Sequence, residues 1–416
     1  MKKYLQVNIK ASWNNLICKI EPKICTLLLR DDDNYTLAWG VQSEFIAQNE
    51  FNFKAFNEFR DQYKTDYAFG YFAYELKDDI EDKLTSENHD LLSFPKSYFF
   101  IPEHVLIMSK GVLTYFGTWS QNEIEQWLKE PVITDIDLKN QTIRLSAITP
   151  KTEYLKKVRK IKSHIQNGDI YEMNYCMNFI TNTQNFNSFG SFLKLRAKTN
   201  SPFSSYLNLP FASILSGSPE RFLNKRGHLL RSQPIKGTRA RSKDHVKDNA
   251  IAQELINDPK ERSENIMIVD LVRNDLSKVA EKNSVVVTEL CGLHSFEAVH
   301  QLVSTVQCKL KRETSDSDVL KALFPMGSMT GAPKFRAMEI AEHYENFKRG
   351  IYSGTIGFFQ PNGNFDFNVV IRSILYSKTT GKLTAAVGGA ITIKSDPEKE
   401  YQECLTKLDA LQKALC

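Results

Sequence analysis

Residues 353–393 read SGTIGFFQPNGNFDFNVVIRSILYSKTTGKLTAAVGGAITI, and this stretch decides the fold class. Its apolar runs have strand length and are rich in β-branched and aromatic residues. Pro361-Asn362-Gly363-Asn364 and Lys378-Thr379-Thr380-Gly381-Lys382 supply the turn chemistry between them. The spacing predicts a three-stranded meander. Gly388-Gly389-Ala390, in its third strand, marks either a bulge or a close backbone approach, with N–H groups free to hold a carboxylate. Upstream, Thr152 opens a helix in which Leu155, Val158, Ile161 and Ile165 share a face, and Gly168 ends it. Helices and long strands mix without βαβ regularity, so the expected class is α+β.

Bulk numbers exclude several functions. The 416 residues are enough for two domains or one large one. With 42% hydrophobic and 25% charged residues the chain is globular rather than disordered. A net charge of +5 without a long Lys/Arg run gives no nucleic-acid footprint. No apolar stretch approaches the ~18 residues that a membrane span needs. Met1-Lys2-Lys3-Tyr4 leads into mixed polar sequence without a signal-peptide core. Seven scattered cysteines, none in Cys-x-x-Cys spacing, predict reduced thiols in a cytoplasm. Residues 1–130 read as an aromatic-rich subdomain, typified by Gly70-Tyr71-Phe72-Ala73-Tyr74-Glu75, with no polar constellation suited to catalysis. Residues 131–150 read as a connection, and 151–416 hold the motifs.

Lys236 lies in Gln233-Pro234-Ile235-Lys236-Gly237-Thr238, which predicts a stiff turn in apolar company. Such a lysine is a solvated turn residue or a nucleophile. Attack on carbon requires the neutral amine, through desolvation or a nearby cation. Bringing a lysine from ~10.4 to about 7 takes roughly 4–5 kcal/mol. Glu220, in Ser218-Pro219-Glu220-Arg221-Phe222, is either an ion-pair partner of Arg221 or a catalytic acid.

Two Asp-Pro starts precede helices. Asp258-Pro259 places Glu261 and Glu264 on one face, and Asp396-Pro397 does the same for Glu400 and Glu403. Acids in a first turn also offset the helix dipole, and Glu261 holds the capping-box position. Four converging carboxylates would instead suit a hard cation such as Mg²⁺. Arg372, in an apolar run, needs a partner. Asp366 is one choice, and a ligand carboxylate is the other. Gly327-Ser328-Met329-Thr330-Gly331-Ala332-Pro333-Lys334 resembles a phosphate loop only superficially, since it lacks Gly-Lys-Ser/Thr and Pro333 removes a donor. His300, within an apolar segment, fits a satisfied core histidine.

Together these segments resemble the chorismate-utilising enzymes, a family that includes anthranilate synthase component I and the isochorismate and salicylate synthases. The likeness covers about residues 150–412. Gly168-Asp169-Ile170, Ser218–Phe222, Pro234–Thr238, Asp270-Leu271-Val272-Arg273-Asn274-Asp275, Thr330–Lys334, Gly388–Ala390 and the Glu400 helix carry it. The resemblance implies a large α/β sandwich of two mixed, mostly antiparallel sheets around a central cleft. It implies Mg²⁺ held through Glu264 and Glu403, with Glu261 and Glu400 beside them. Arg372, Tyr352, Lys407 and the backbone at Gly388, Gly389 and Ala390 would bind the enolpyruvyl carboxylate region of chorismate. His300 and Thr330 would line the ring.

Two positions sort the branches of the family. Water-using members carry lysine where this chain has Glu172, which puts the chain among the ammonia users. Anthranilate synthase carries alanine at the place of Lys236, whereas lysine marks the aminodeoxychorismate branch. There the lysine attacks C2, the C4 hydroxyl leaves with help from an acid at Glu220, and ammonia expels the lysine. The chain contains no glutaminase segment and no room for a lyase. The resemblance therefore implies a separate glutaminase subunit and a separate aminodeoxychorismate lyase. It does not include the Leu-Leu-Glu-Ser type segment tied to tryptophan feedback.

Overall fold

The computed structural model describes residues 2–7, 13–20, 23–30, 34–131, 142–297 and 299–416. Residues 132–141 of the expected connection lie outside the described residues, as do Met1 and Ala298. Among the described residues the strands form a twelve-stranded and a ten-stranded sheet. Every strand pair given a register, from Lys3–Val7 with Val112–Gly117 to the hairpins of the second sheet, is antiparallel. The larger sheet carries the long Glu172–Asn182 and Lys382–Ile391 pair beside its short edge strand, Gly331–Ala332.

In both sheets a block of strands from before 131 joins a block from after 150 along one seam. Cys25–Arg30 pairs with Ser205–Asn208 in the larger sheet, and Ala68–Phe72 pairs with Thr355–Phe359 in the smaller. The N-terminal aromatics supply the glue between them. Phe72 lies 6.0 Å from Phe367, and Phe99 lies 5.6 Å from Phe359, ring centre to ring centre. Such pairs add roughly 0.5–1.5 kcal/mol each beyond their buried area.

Two buried clusters organise the layers. One joins the inner faces of both sheets, through residues such as Leu207, Ile214, Phe222 and Phe367, and continues beneath Ile268, Val272 and Leu276 of the helix Pro259–Val279. The other fills the space between the outer face of the larger sheet and the helices Lys151–Gln166, Ser188–Thr199, Lys334–Tyr344 and Pro397–Ala414. In the first of these helices Tyr154, Leu155, Val158 and Ile161 are buried, as the periodicity requires, and Gly168 follows at φ +84°. No helix among the described residues is long and apolar enough to cross a membrane.

The expected meander is corrected. Residues 353–393 hold four strands, Thr355–Phe359, Phe365–Asn368, Ser373–Ser377 and Lys382–Ile391. The first two belong to the smaller sheet and the last two to the larger. The apolar run Val369-Val370-Ile371-Arg372 is the crossover between sheets, and both valines are buried because the interior surrounds it. Arg372 turns the corner at φ +50°, a left-handed conformation uncommon for a side chain of this size. Gly388-Gly389-Ala390 is not a bulge. The register runs unbroken through Cys176↔Gly388, Tyr175↔Gly389 and Asn174↔Ala390. A Cβ on Gly388 would lie 2.7 Å from Tyr175 O and from Cys176 Sγ, so close approach is what excludes a side chain there.

Candidate active site

Lys236 sits on a bulged strand rather than the expected turn. Pro234 separates Leu229–Gln233 from Ile235–Ala240, and both segments pair with Val299–Lys309. The register slips between Ile235↔Val303 and Thr238↔Gln301, which leaves one extra residue at Lys236-Gly237. A bulge of this kind bends the strand and re-aims a side chain. Gly237 takes φ +92°, which glycine tolerates best. Asn265 pins the bulge, donating to Leu302 O at 3.1 Å and to Lys236 O at 3.4 Å. Asn265 belongs to the helix that carries Glu261 and Glu264.

Both Asp-Pro starts form capped helices. Asp258 accepts from the N–H groups of Lys260 and Glu261, and Asp396 accepts from Lys399. Glu261 is not a capping-box partner. It accepts from Arg239 at 3.0 Å, and the same guanidinium reaches Asp258 at 2.9 Å.

Acids surround Lys236. Burial works most strongly on its ammonium and favours the neutral form. Glu172, Glu264, Glu220 and Glu403 together outweigh burial and hold the pKa above the ordinary lysine value. These acids favour the ammonium form of Lys236. Burial pushes Glu220 up to about 7 against the pull of the Ser328 hydroxyl, Lys236 and the Ile235 N–H. Ser328 Oγ is close to Glu220 but outside good hydrogen-bond geometry. Burial likewise pushes Glu264 up to about 7, with Lys236 and Lys260 opposing and Glu172 adding repulsion. Glu172 is raised by burial and lowered by Lys236.

The second helix start closes on the same place. Burial works against the Glu403 carboxylate, but Lys407 at 2.7 Å holds it below the usual range. Glu400 is raised, first by burial and then by Glu403. Lys407 also donates to Gly388 O at 2.7 Å. A Cβ built on Gly389 would lie 3.4 Å from Glu400 Oε2 and 3.6 Å from Glu403 Oε1. Lys260, 3.8 Å from Glu264, interacts with all four of Glu264, Glu400, Glu261 and Glu403. Glu264 Oε1 and Glu172 Oε2 are buried and have no hydrogen-bond partner among the described residues. No three His, Cys, Asp or Glu side chains among the described residues converge into a ready-made cation cage.

The remaining expected site residues divide. Arg372 does not pair with Asp366, which is taken by Arg221 through two contacts of 3.1 Å. Burial alone shifts the Arg372 pKa, downward, with no acid countering it. Glu220 is likewise not the partner of Arg221, which also donates to Gln233 at 2.6 Å and lies over the Phe203 ring at 4.6 Å. Tyr352 is buried, with its hydroxyl 3.8 Å from Cys176 Sγ. Thr330 is buried and donates to Met326 O and Gly327 O, while its own carbonyl accepts from Asn174 N at 2.8 Å. His300 has both ring nitrogens engaged, on Ser295 at 2.8 Å and Asp248 at 3.0 Å. Ala390 O lies 3.5 Å from Ser395 Oγ.

Sequence reasoning used Glu172 only to sort the family's branches, and it did not single out Lys260 or the buried Arg349–Glu345 pair. Arg349 contacts Glu345 at 2.6 Å and donates to Met329 O and Asn174 O, and Glu345 accepts from Cys176 N. This buried pair locks the loop before Thr330 onto the Glu172–Asn182 strand. The alternation of Glu172, Asn174, Cys176 and Asn178 along that strand was the available signal.

The arrangement presents a buried lysine among the acids Glu172, Glu264, Glu220 and Glu403, with Glu220 pushed up to about 7. Comparison with known proteins bears on what this serves. The family described as chorismate binding enzyme matches residues 23–413. Aminodeoxychorismate synthase component 1 of Bacillus subtilis (strain 168) is 36% identical over 365 residues, covering 84% of this chain and 76% of its own. An anthranilate synthase component I-like protein of Synechocystis sp. is 36% identical over 351 residues, covering 83% of this chain and 72% of its own. The crystal structure of anthranilate synthase component I from Streptococcus pneumoniae superposes with a TM-score of 0.82 at 24% identity, over 92% of each chain.

Proposed function

The chain belongs to the family of chorismate binding enzymes, and from that premise we propose that it is component 1 of an aminodeoxychorismate synthase. The reaction converts chorismate and ammonia to 4-amino-4-deoxychorismate, for p-aminobenzoate and folate synthesis. The observation that carries this reading is Lys236 itself, aimed by its bulge at Glu172, Glu264 and Glu220. The relatives named aminodeoxychorismate synthase component 1 add support.

Lys236 Nζ, once neutral, attacks C2, and the C4 hydroxyl leaves as water with a proton from Glu220. Ammonia then forms the C4–N bond and Lys236 departs. A buried acid near 7 suits proton delivery at neutral pH. Glu264, whose buried Oε1 has no hydrogen bond among the described residues, and Glu403, framed by Glu261 and Glu400, fit a hard cation that takes two carboxylates and completes its shell with ligand and water oxygens. Mg²⁺ held there supplies positive charge for the ring carboxylate. Arg372, Tyr352, Lys407 and the backbone at Gly388, Gly389 and Ala390 receive the enolpyruvyl carboxylate region. His300 and Thr330 bound the ring side by shape, since their polar atoms are already engaged. A separate glutaminase subunit supplies ammonia, and a separate lyase releases pyruvate. Seven cysteines with no disulfide among the described residues suit a cytoplasmic location.

Anthranilate synthase is the second reading, favoured by the name of the Synechocystis relative. Incubation with chorismate, Mg²⁺ and ammonium decides between them. We expect a product that yields p-aminobenzoate only after lyase is added. Direct appearance of anthranilate would sink the proposal. Lys236→Ala is expected to abolish turnover while chorismate still binds, and unchanged turnover would remove Lys236 from the mechanism.

A further inference from the structure

A second polar cavity, of about 240 Å³, lies between the turn after the Ala68–Phe72 strand and the far end of the Glu172–Asn182 strand. Glu75, Asn178, Thr384, Asp78, Asp90 and Lys348 are among its walls. Asn178 is six residues along the strand from Glu172, so about 20 Å from the Lys236 cluster at ~3.3 Å per residue. The cavity therefore lies apart from Lys236 and the acids around it, two residues along the strand from Cys176 and its Tyr352 contact.

The wall holds two orphaned acceptors. Glu75 is 6% exposed and Asn178 4% exposed, and neither Glu75 Oε1 nor Asn178 Oδ1 has a hydrogen-bond partner among the described residues. Buried polar atoms in native proteins nearly always find a partner, and each one left alone costs about 1–3 kcal/mol. Of the three cations in the walls, Lys96 and Arg349 are already committed, and the Lys348 side chain has no ion pair among the described residues. Lys96 lies 2.8 Å from Asp79, and Arg349 is paired with Glu345. The Asp90 carboxylate is occupied by the N–H groups of Leu92 and Ser93. The unmet need is thus for N–H donors beside a carboxylate. Glu75, Asp78 and Asp90 balance Lys96, Lys348 and Arg349 in charge, so it is the orphaned acceptors that call for a donor.

We propose that this cavity is a second ligand site, separate from the catalytic cluster, for a small protonated amine, of which ammonium is the smallest. Glu75 supplies the counter-charge, and Asn178 Oδ1 and Glu75 Oε1 accept two of the N–H bonds. Ammonium is also a substrate of the proposed reaction, but the inference does not depend on that reaction.

Thermal unfolding of the full chain, without chorismate or Mg²⁺, provides the test. NH₄Cl, methylammonium chloride and glycine are each titrated against KCl at equal ionic strength, where binding to the folded state raises Tm. We expect at least one amine to raise Tm beyond KCl. Loss of a hydrogen bond to a charged group weakens binding about tenfold or more, so Glu75→Gln and Asn178→Leu should each weaken the response by that factor. A response to ammonium identifies the free ion as ligand, and a stronger response to glycine identifies an amino acid; both support the site. Glu75→Gln removes a charge beside Lys77 and risks misfolding. Asn178→Leu changes no charge and keeps the test decisive. If no amine exceeds KCl, the cavity holds solvent only and the proposal falls. It falls equally if the response survives undiminished in folded Asn178→Leu.

Discussion

Replacing Gly389 by alanine tests whether this glycine serves substrate rather than packing, and Gly388 provides the internal control. The added methyl would lie 3.4 Å from Glu400 Oε2, 3.6 Å from Glu403 Oε1 and 4.0 Å from Lys407 Nζ. These are ordinary contact distances, and Gly389 is not among the residues at positive φ. Alanine also restricts the unfolded chain, a gain of about 0.4–1 kcal/mol where the backbone permits it. The variant should match or slightly exceed the parent in urea unfolding. The same methyl covers the backbone over the Glu400–Glu403 pair, where the ligand carboxylate is proposed to rest. Losing one charge-assisted hydrogen bond costs roughly 1.5–3 kcal/mol, so kcat/KM for chorismate should fall about tenfold or more. On Gly388 the methyl would meet Tyr175 O and Cys176 Sγ at 2.7 Å and Cys176 Cα at 3.2 Å. The neighbouring strand must move, at a cost of about 1–3 kcal/mol. Equal destabilisation by both substitutions, with kcat/KM retained in Gly389→Ala, would refute the reasoning.

Three further outcomes follow from the geometry. Arg372→Gly removes a partnerless charge and relieves a left-handed residue worth about 1 kcal/mol; stability should hold or rise while KM for chorismate increases, and a large loss in urea midpoint would make Arg372 structural. Asp366→Asn breaks the buried two-point pair with Arg221, for which about 3–5 kcal/mol is expected; a variant as stable as the parent would show the pair to be idle. Burial raises Glu220 from 4.5 to about 7 in the folded protein. The folded state therefore binds the extra proton between these values, and stability falls as pH rises through that window. Glu220→Gln should flatten that part of the stability profile, measured without Mg²⁺, and an unchanged slope would contradict the assigned shift.

How much of this was legible in the sequence depended on the range of the interaction. Asp258-Pro259 and Asp396-Pro397 announce their helices because capping is decided within four residues. The α+β class follows from period and turn chemistry, which are equally local. Val369–Arg372 misleads because an interior crossover and a buried strand demand the same apolar residues. The Lys236 segment misleads for a related reason: Pro234 and Gly237 are compatible with a turn, and only pairing with Val299–Lys309 makes them a bulged strand. Arg221 choosing Asp366 over its neighbour Glu220 depends on which strands lie side by side. Glu75 and Asn178, far apart in the chain, meet only because both sheets are assembled.

The seam between early and late strands sets a schedule for biosynthesis. Phe72 and its neighbours pair with Thr355–Phe359, so one edge of an apolar early strand waits for almost the whole chain to be made. At a translation rate of about 5–20 residues per second, that wait is on the order of 15–60 s. Throughout it, Phe69, Tyr71 and Phe72 have no finished sheet to enter. The nascent chain thus carries a sticky, unpaired ribbon during most of its synthesis. Its yield in a cell should respond to chaperone supply and to elongation speed more than its finished stability would suggest.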